Sequence, residues 1–248
     1  MTAEPDQTYD PQAKPLYFFR ATNPKFGFLS NWYASEPFTD FRLPSPSLQT
    51  ATASELPETM KIYKTAEHYM MHHKALFFGD SVAAEKILAA EEPWEVQKLG
   101  RLVEGFDQEI WERKRMRIVT DAVYWKFTSP ISLMGRASSA ETPETVPREG
   151  SPAGGQGGKV REWSSSDRRN TPSIRAPSFR AALLVTGDRL LVEASPFDST
   201  WGIGFSAEAA EAKRALWGLN LLGRCLMDVR KKFREEEEGS SKLKDESH

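Results

Sequence analysis

Glu67 and Lys74 are seven positions apart in Lys64-Thr65-Ala66-Glu67-His68-Tyr69-Met70-Met71-His72-His73-Lys74-Ala75. On a helix that spacing points both side chains within about 20° of each other. Met71 and Phe78 continue the same stripe. A face built only for a core excludes Glu and Lys, so this one borders solvent or lines a pocket where charge does chemistry. Near the start of its helix Glu67 meets the positive end of the peptide dipoles, which favours its ionised form by about 0.3–1 kcal/mol. The plain alternative is an ordinary first-turn glutamate.

A second carboxylate stands in Pro196-Phe197-Asp198-Ser199-Thr200-Trp201-Gly202-Ile203-Gly204. Asp198 can close an Asx-turn with glycines supplying positive φ. Alternatively, Trp201, Gly202 and Gly204 let backbone and indole approach a planar ligand. Trp111 fits either a core or a ligand platform. Lys98 and Arg101 read as an exposed helix end or as a phosphate clamp. Asn31, after Ser30, can bond a base edge or cap a turn. His68 and His72 have the i, i+4 spacing of metal ligands, but the order His-Glu-x-x-His is absent. A partly exposed histidine-rich flank is the favoured reading, and no metal is expected. The run Gly154–Gly158 lacks the preceding strand and following Lys-Ser/Thr of a phosphate loop.

The elements that must position these groups follow from pattern. Tyr17-Phe18-Phe19, Met60–Tyr63 and Leu190–Ala194 read as short strands. Helices are expected from Glu67 onward, from Ser81 through Ala90 with Ser81 as cap, from Pro93, and from an Asp107 cap to Phe127. The last of these would bury Trp111, Ile118, Ala122 and Trp125, with only Arg115 interrupting. Pro177 starts a short helix ending at Gly187. Two more helices, Ala207–Trp217 and Asn220–Phe233, complete the chain, with Asn220 as the cap of the second. Residues 1–14, an insertion at about 132–176 and the charged tail 235–248 read as disordered, and 43–58 as a surface loop. One domain over 15–234 remains.

Composition narrows the class. The 248 residues carry a formal net charge of −2, so the whole molecule has no general pull towards nucleic acid or anionic lipid. A single cysteine excludes an intramolecular disulfide and fits a reducing compartment. No apolar run is long enough for a membrane span, and the first residues lack a secretory pattern. A cytoplasmic protein is expected, with a nuclear one also compatible.

The motifs, taken in order, resemble the NADAR domain family of YbiA-like N-glycosidases. The matching pieces are Phe28–Tyr33, Glu67–Met71 with Lys74-Ala75, Pro93, Lys98–Arg101, Trp111 and Lys126-Phe127. They continue with Thr186–Asp188, Leu191–Ser195, Asp198–Gly204 and Trp217–Gly223. The resemblance implies an α+β, mostly helical single domain with a small sheet. It further implies cleavage of an N-glycosidic bond, without a cofactor. Implied substrates are phosphorylated ribosylamines, such as the ribosylamino-pyrimidine phosphates of riboflavin synthesis, and ADP-ribosyl groups on guanine, including guanine in nucleic acid. A pocket that binds ADP-ribose or NAD without cleaving it is the alternative. By the same resemblance Glu67, Trp111 and Asp198 occupy positions linked to activity.

Breaking a C1′–N bond puts positive charge on the sugar and negative charge on the base. Asp198 is therefore expected to stabilise the sugar or activate water, and Glu67 to take the complementary acid/base role, the two being exchangeable. Lys74 would depress the Glu67 pKa or, if neutral, attack an opened ribose at C1′. Ser30, Asn31, Trp111, Trp201, Gly202 and Gly204 would contact substrate, and Lys98 and Arg101 its phosphate.

Overall fold

Thr65 is extended and its hydroxyl accepts the His68 N–H, so α1 (Ala66–Phe77) starts at the next residue. The computed structural model describes residues 9–35, 37–40, 60–128 and 178–245. In α2 (Ser81–Ala89) the cap is Asp80 and not Ser81: its carboxylate accepts the Ala83 and Glu104 N–H groups, tying the helix start to the loop around Glu104. Pro93 opens α3 (Pro93–Arg101), and Asp107 caps α4 (Gln108–Thr128) through the Ile110 N–H at 2.8 Å. Ser178 caps α5 (Phe179–Leu184), and Gly187 follows at φ +62°.

The sheet is small. β1 (Leu16–Phe18) pairs in parallel with β2 (Leu191–Glu193), placing Phe18 opposite Glu193. The expected strand at Met60–Tyr63 reduces to an isolated antiparallel bridge between Phe38 and Tyr63. The expected helix over Ala207–Trp217 is a short α6 (Ala207–Ala210) followed by a 3-10 turn (Glu211–Leu216), with Lys213 leaving helical geometry at φ −113°. Asn220 does not cap the last helix with its side chain. It sits at φ +49°, accepts the Glu193 N–H and donates to the Leu191 carbonyl, completing the free edge of β2.

That helix, α7 (Leu221–Asp245), continues past Phe233 through the acidic run expected to be a disordered tail. Glu236 holds it there, accepting from Tyr124 at 3.1 Å and Arg180 at 2.6 Å. Nor is the N-terminal segment wholly untethered, because the Asp10 N–H donates to the Asp188 carbonyl. Positions 43–58 and 132–176, read as insertions, lie outside the described residues.

The main core joins both strands to α4 and α7 through Phe18, Leu191, Val192, Val119, Val123, Leu226 and Phe233. A second cluster packs α1 against α2 and α3 through Ala75, Ile87 and Val96. Burying each large side chain contributes about 1.5–3 kcal/mol. The molecule is α+β and mostly helical, with the small sheet packed on α7. Among the described residues no helix is long and apolar enough to cross a membrane.

Candidate active site

Glu67 is only 3 % exposed, in the first turn of α1, and its backbone N–H donates to the Asn31 carbonyl. The loop carrying Asn31 is fixed from below by Lys126 of α4, whose ammonium donates to the carbonyls of Phe28 at 2.7 Å and Ser30 at 2.9 Å. Burial pushes the Lys126 pKa down to about 7. Ser30 itself is engaged in structure, its hydroxyl accepting the Trp32 N–H. The Trp32 side chain favours the ionised form of the Glu67 carboxyl.

Burial and the nearby Asp198 carboxylate push the Glu67 pKa up to about 8, against the opposing pull of Arg101, Trp32 and Lys74. A third acid joins them. Glu193 at the end of β2 is also raised to about 8, by burial, then by Asp198 and Glu67. Charges from α1, β2 and the 195–205 loop thus act on one another. Asn31 Oδ1, Glu67 Oε1 and Glu193 Oε2 are buried without a hydrogen-bond partner. Buried acceptors left open in this way mark a place where a ligand's N–H and O–H groups can be received.

Asp198 does close the Asx-turn: its Oδ1 accepts the N–H groups of Thr200 at 2.7 Å and Trp201 at 2.8 Å. Turn and charge are compatible roles for one carboxylate. The glycines of this loop have backbone reasons of their own. A Cβ at Gly202 would stand 2.6 Å from the Glu193 carbonyl oxygen, and Gly204 sits at φ +76°. Gly202 thereby lets the loop press against the strand residue that carries the third acid.

Lys74 is 7 % exposed and donates to the Gly100 carbonyl at 2.7 Å. Its ammonium stands 3.9 Å from the Phe106 ring centroid and 5.6 Å from that of Trp111, and burial lowers its pKa. Gly100 can offer that carbonyl because α3 lies so close to α1 that a Cβ there would meet Met71 Sδ at 2.2 Å. Arg101, exposed in the last turn of α3, is among the charges acting on Glu67, and Lys98 is not. Trp111 is buried and Trp201 partly buried, both packed with the main core.

The structure therefore gathers Glu67, Asp198, Lys74, Arg101 and Trp111, and adds Glu193, Trp32 and Phe106. Glu193 had a signal in the sequence, a lone acid inside the apolar run Leu190–Ala194. Phe106 had none, because a loop aromatic carries no periodicity. Contrary to the expected partly exposed flank, His68 and His72 are buried. His68 bonds Thr65 Oγ1 and the Ala90 carbonyl, and burial holds both rings near pKa 4, uncharged at neutral pH.

Comparison with known proteins identifies the family and the fold. The NADAR domain family matches residues 17–234. An N-glycosidase of Acanthamoeba polyphaga mimivirus is 32 % identical over 170 residues, covering 68 % of this chain and 73 % of the relative. An N-glycosidase of Nostoc punctiforme is 28 % identical over 172 residues, 69 % of this chain and 75 % of that one. The NMR structure of the E. coli protein YbiA shares the fold with a TM-score of 0.50 at 19 % identity, over 93 % of this chain and 90 % of YbiA. A match spanning most of β1, all of β2, the acid-bearing loop and the first half of α7 leaves one assignment: the chain belongs to the NADAR family.

Proposed function

We propose that this N-glycosidase of the NADAR family hydrolyses the C1′–N bond of a phosphorylated ribosylamine or of an ADP-ribosyl group attached to a base. The observation that carries the reading is the mutual influence of Glu67, Glu193 and Asp198, with two of their oxygens buried and open. Hydrolysis at C1′ needs a carboxylate beside the developing oxocarbenium, a proton for the leaving nitrogen and a base for water. Glu67 and Asp198 divide the acid and base work. Trp111 and Trp201 flank the base, each stack being worth about 1–3 kcal/mol. Asn31 bonds the base edge, with Ser30, Gly202 and Gly204 shaping its seat. Arg101, with Lys98 one turn before it, meets the phosphate.

Lys74 serves as a fixed ammonium next to the ring platform, held by Gly100, Phe106 and Trp111. A Schiff base at C1′ would require it to give up that proton first. Borohydride trapping under turnover is expected to leave no adduct at Lys74, and a labelled Lys74 peptide would establish the covalent route.

The test of function is release of free base from a panel of ribosylamino-pyrimidine phosphate, NAD, ADP-ribose and ADP-ribosylated guanosine. Glu67→Gln and Asp198→Asn should each slow turnover at least ~100-fold with the fold retained. Asn at 198 keeps an oxygen for the turn, so its loss of rate reports the charge. Tight binding of ADP-ribose with no base released from any compound would instead identify a binding module.

A further inference from the structure

Anchors on both sides fix the short loop between α3 and α4. Val103 is buried in the cluster beneath α1, and the Glu104 N–H donates to Asp80 Oδ2 at 2.9 Å. Gly105 takes φ +66°, which a side chain would resist, and Asp107 caps α4. Phe106 stands between those two, so the backbone sets where its ring points. Both ends of the loop belong to the site: Arg101, just before it, acts on Glu67, and Trp111 follows in the first turn of α4.

The Phe106 ring lies with one face over the Lys74 ammonium, 3.9 Å from its centroid, and packs against Phe78 at 5.4 Å and 65°. The Trp111 ring stands 5.6 Å from the same ammonium. Phe106 thereby helps to close Lys74 off from solvent, yet is itself 39 % exposed. Single exposed apolar side chains such as Leu102 and Val185 call for no explanation. Phe106 does, because a firmly aimed ring has its inner face filled by a cation of the site and its outer face open. A cation on one face draws the ring's electrons towards it, leaving the other face better suited to an electron-rich flat partner.

We propose that Phe106 binds substrate, its outer face stacking on the base that leaves C1′ while Lys74 holds the inner face. The placement rests on the N-glycosidase reading and adds a wall to the site described there. Two observations favour the leaving base over a more distant flat group of the substrate. Lys74 shares the α1 stripe with Glu67, two helical turns or about 10 Å along the axis. Its ammonium also lies against both Phe106 and Trp111, and Trp111 flanks the base in that reading. An amino-substituted pyrimidine or purine is the partner this face suits.

Phe106→Leu keeps apolar bulk and removes the π face, whereas Phe106→Tyr keeps the face. With the compound that the panel shows to be cleaved, Phe106→Leu should raise KM at least ~5-fold and leave kcat within ~3-fold, and Phe106→Tyr should stay within ~2-fold on both. A lowered melting temperature in Phe106→Leu with KM unchanged would make the ring a structural cover for Lys74 and overturn the proposal. ADP-ribose and ribose 5-phosphate, which carry no base at C1′, should bind wild type and Phe106→Leu alike in calorimetry. An equal loss for ADP-ribose would put its adenine on the ring and overturn the assignment to the leaving base. Should no compound be cleaved, the N-glycosidase reading fails, and calorimetry with the intact compounds still decides the stack. Weaker binding to Phe106→Leu upholds it; equal binding ends it.

Discussion

At the scale of single residues, the site is held together against its own charges. An acid whose pKa is about 8 in the fold and 4.5 as the ordinary value binds more protons folded than unfolded between those limits. Stability contributed by Glu67 is therefore complete below about pH 4.5 and is lost as pH rises towards 8. At pH 8 its burial costs on the order of a few kcal/mol. Glu67→Gln should accordingly melt higher than wild type at pH 8, with the gap closing at pH 5, in a thermal scan. Equal gaps at both values would mean the carboxyl is not buried as described. Lys126 shows the converse, a buried ammonium spent on two carbonyls to hold the Ser30–Asn31 loop in place.

At the scale of elements, the site depends on how closely α7 and the 195–205 loop approach β2. Gly223 in α7 lies where a Cβ would be 2.1 Å from the Leu191 carbonyl oxygen, whereas at Gly239, farther along the same helix, a Cβ meets nothing within 4 Å. Helix propensity favours alanine at both. Gly223→Ala should nevertheless lower stability by about 1–3 kcal/mol through overpacking, and lower kcat by shifting β2 and Glu193. Gly239→Ala should stabilise by up to ~1 kcal/mol and leave kcat unchanged. Urea titration with parallel rate measurement separates the two, and a neutral Gly223→Ala would refute the close approach. Asn220 belongs to the same interface. Asparagine before a helix suggests a cap, yet here its amide acts as a one-residue strand, because the edge of β2 has backbone groups to satisfy.

At the scale of the whole molecule, a main hydrophobic core and a second cluster under α1 together support a candidate site assembled from segments far apart in sequence. Its two halves meet across the long interval between α4 and α5. The rings of Phe127 and Phe179 lie 5.6 Å apart, so the chain leaving α4 and the chain entering α5 are already neighbours. Removing residues 137–176 should leave a linker long enough to join them and an enzyme with rates within a few-fold of wild type. Loss of folding on that deletion, measured by circular dichroism, would make the segment part of the domain.

The sequence by itself determined the helices with strong caps or a Pro start, the glycine turns, and the stripe bearing Glu67 and Lys74, because these depend on neighbours within one or two turns. Ordered motifs also carried the family. What tertiary structure alone decided was the company each charge keeps. Spacing along one helix could not tell that Asp198 and Glu193 arrive beside Glu67, or that Phe106 covers Lys74. It could not tell that Asn220 binds a strand, that α7 continues past Phe233 with Glu236 bound to Arg180 and Tyr124, or that His68 and His72 face inward. Burial and repulsion act through space at short range, and the fold is what brings residues 67, 193 and 198 within that range.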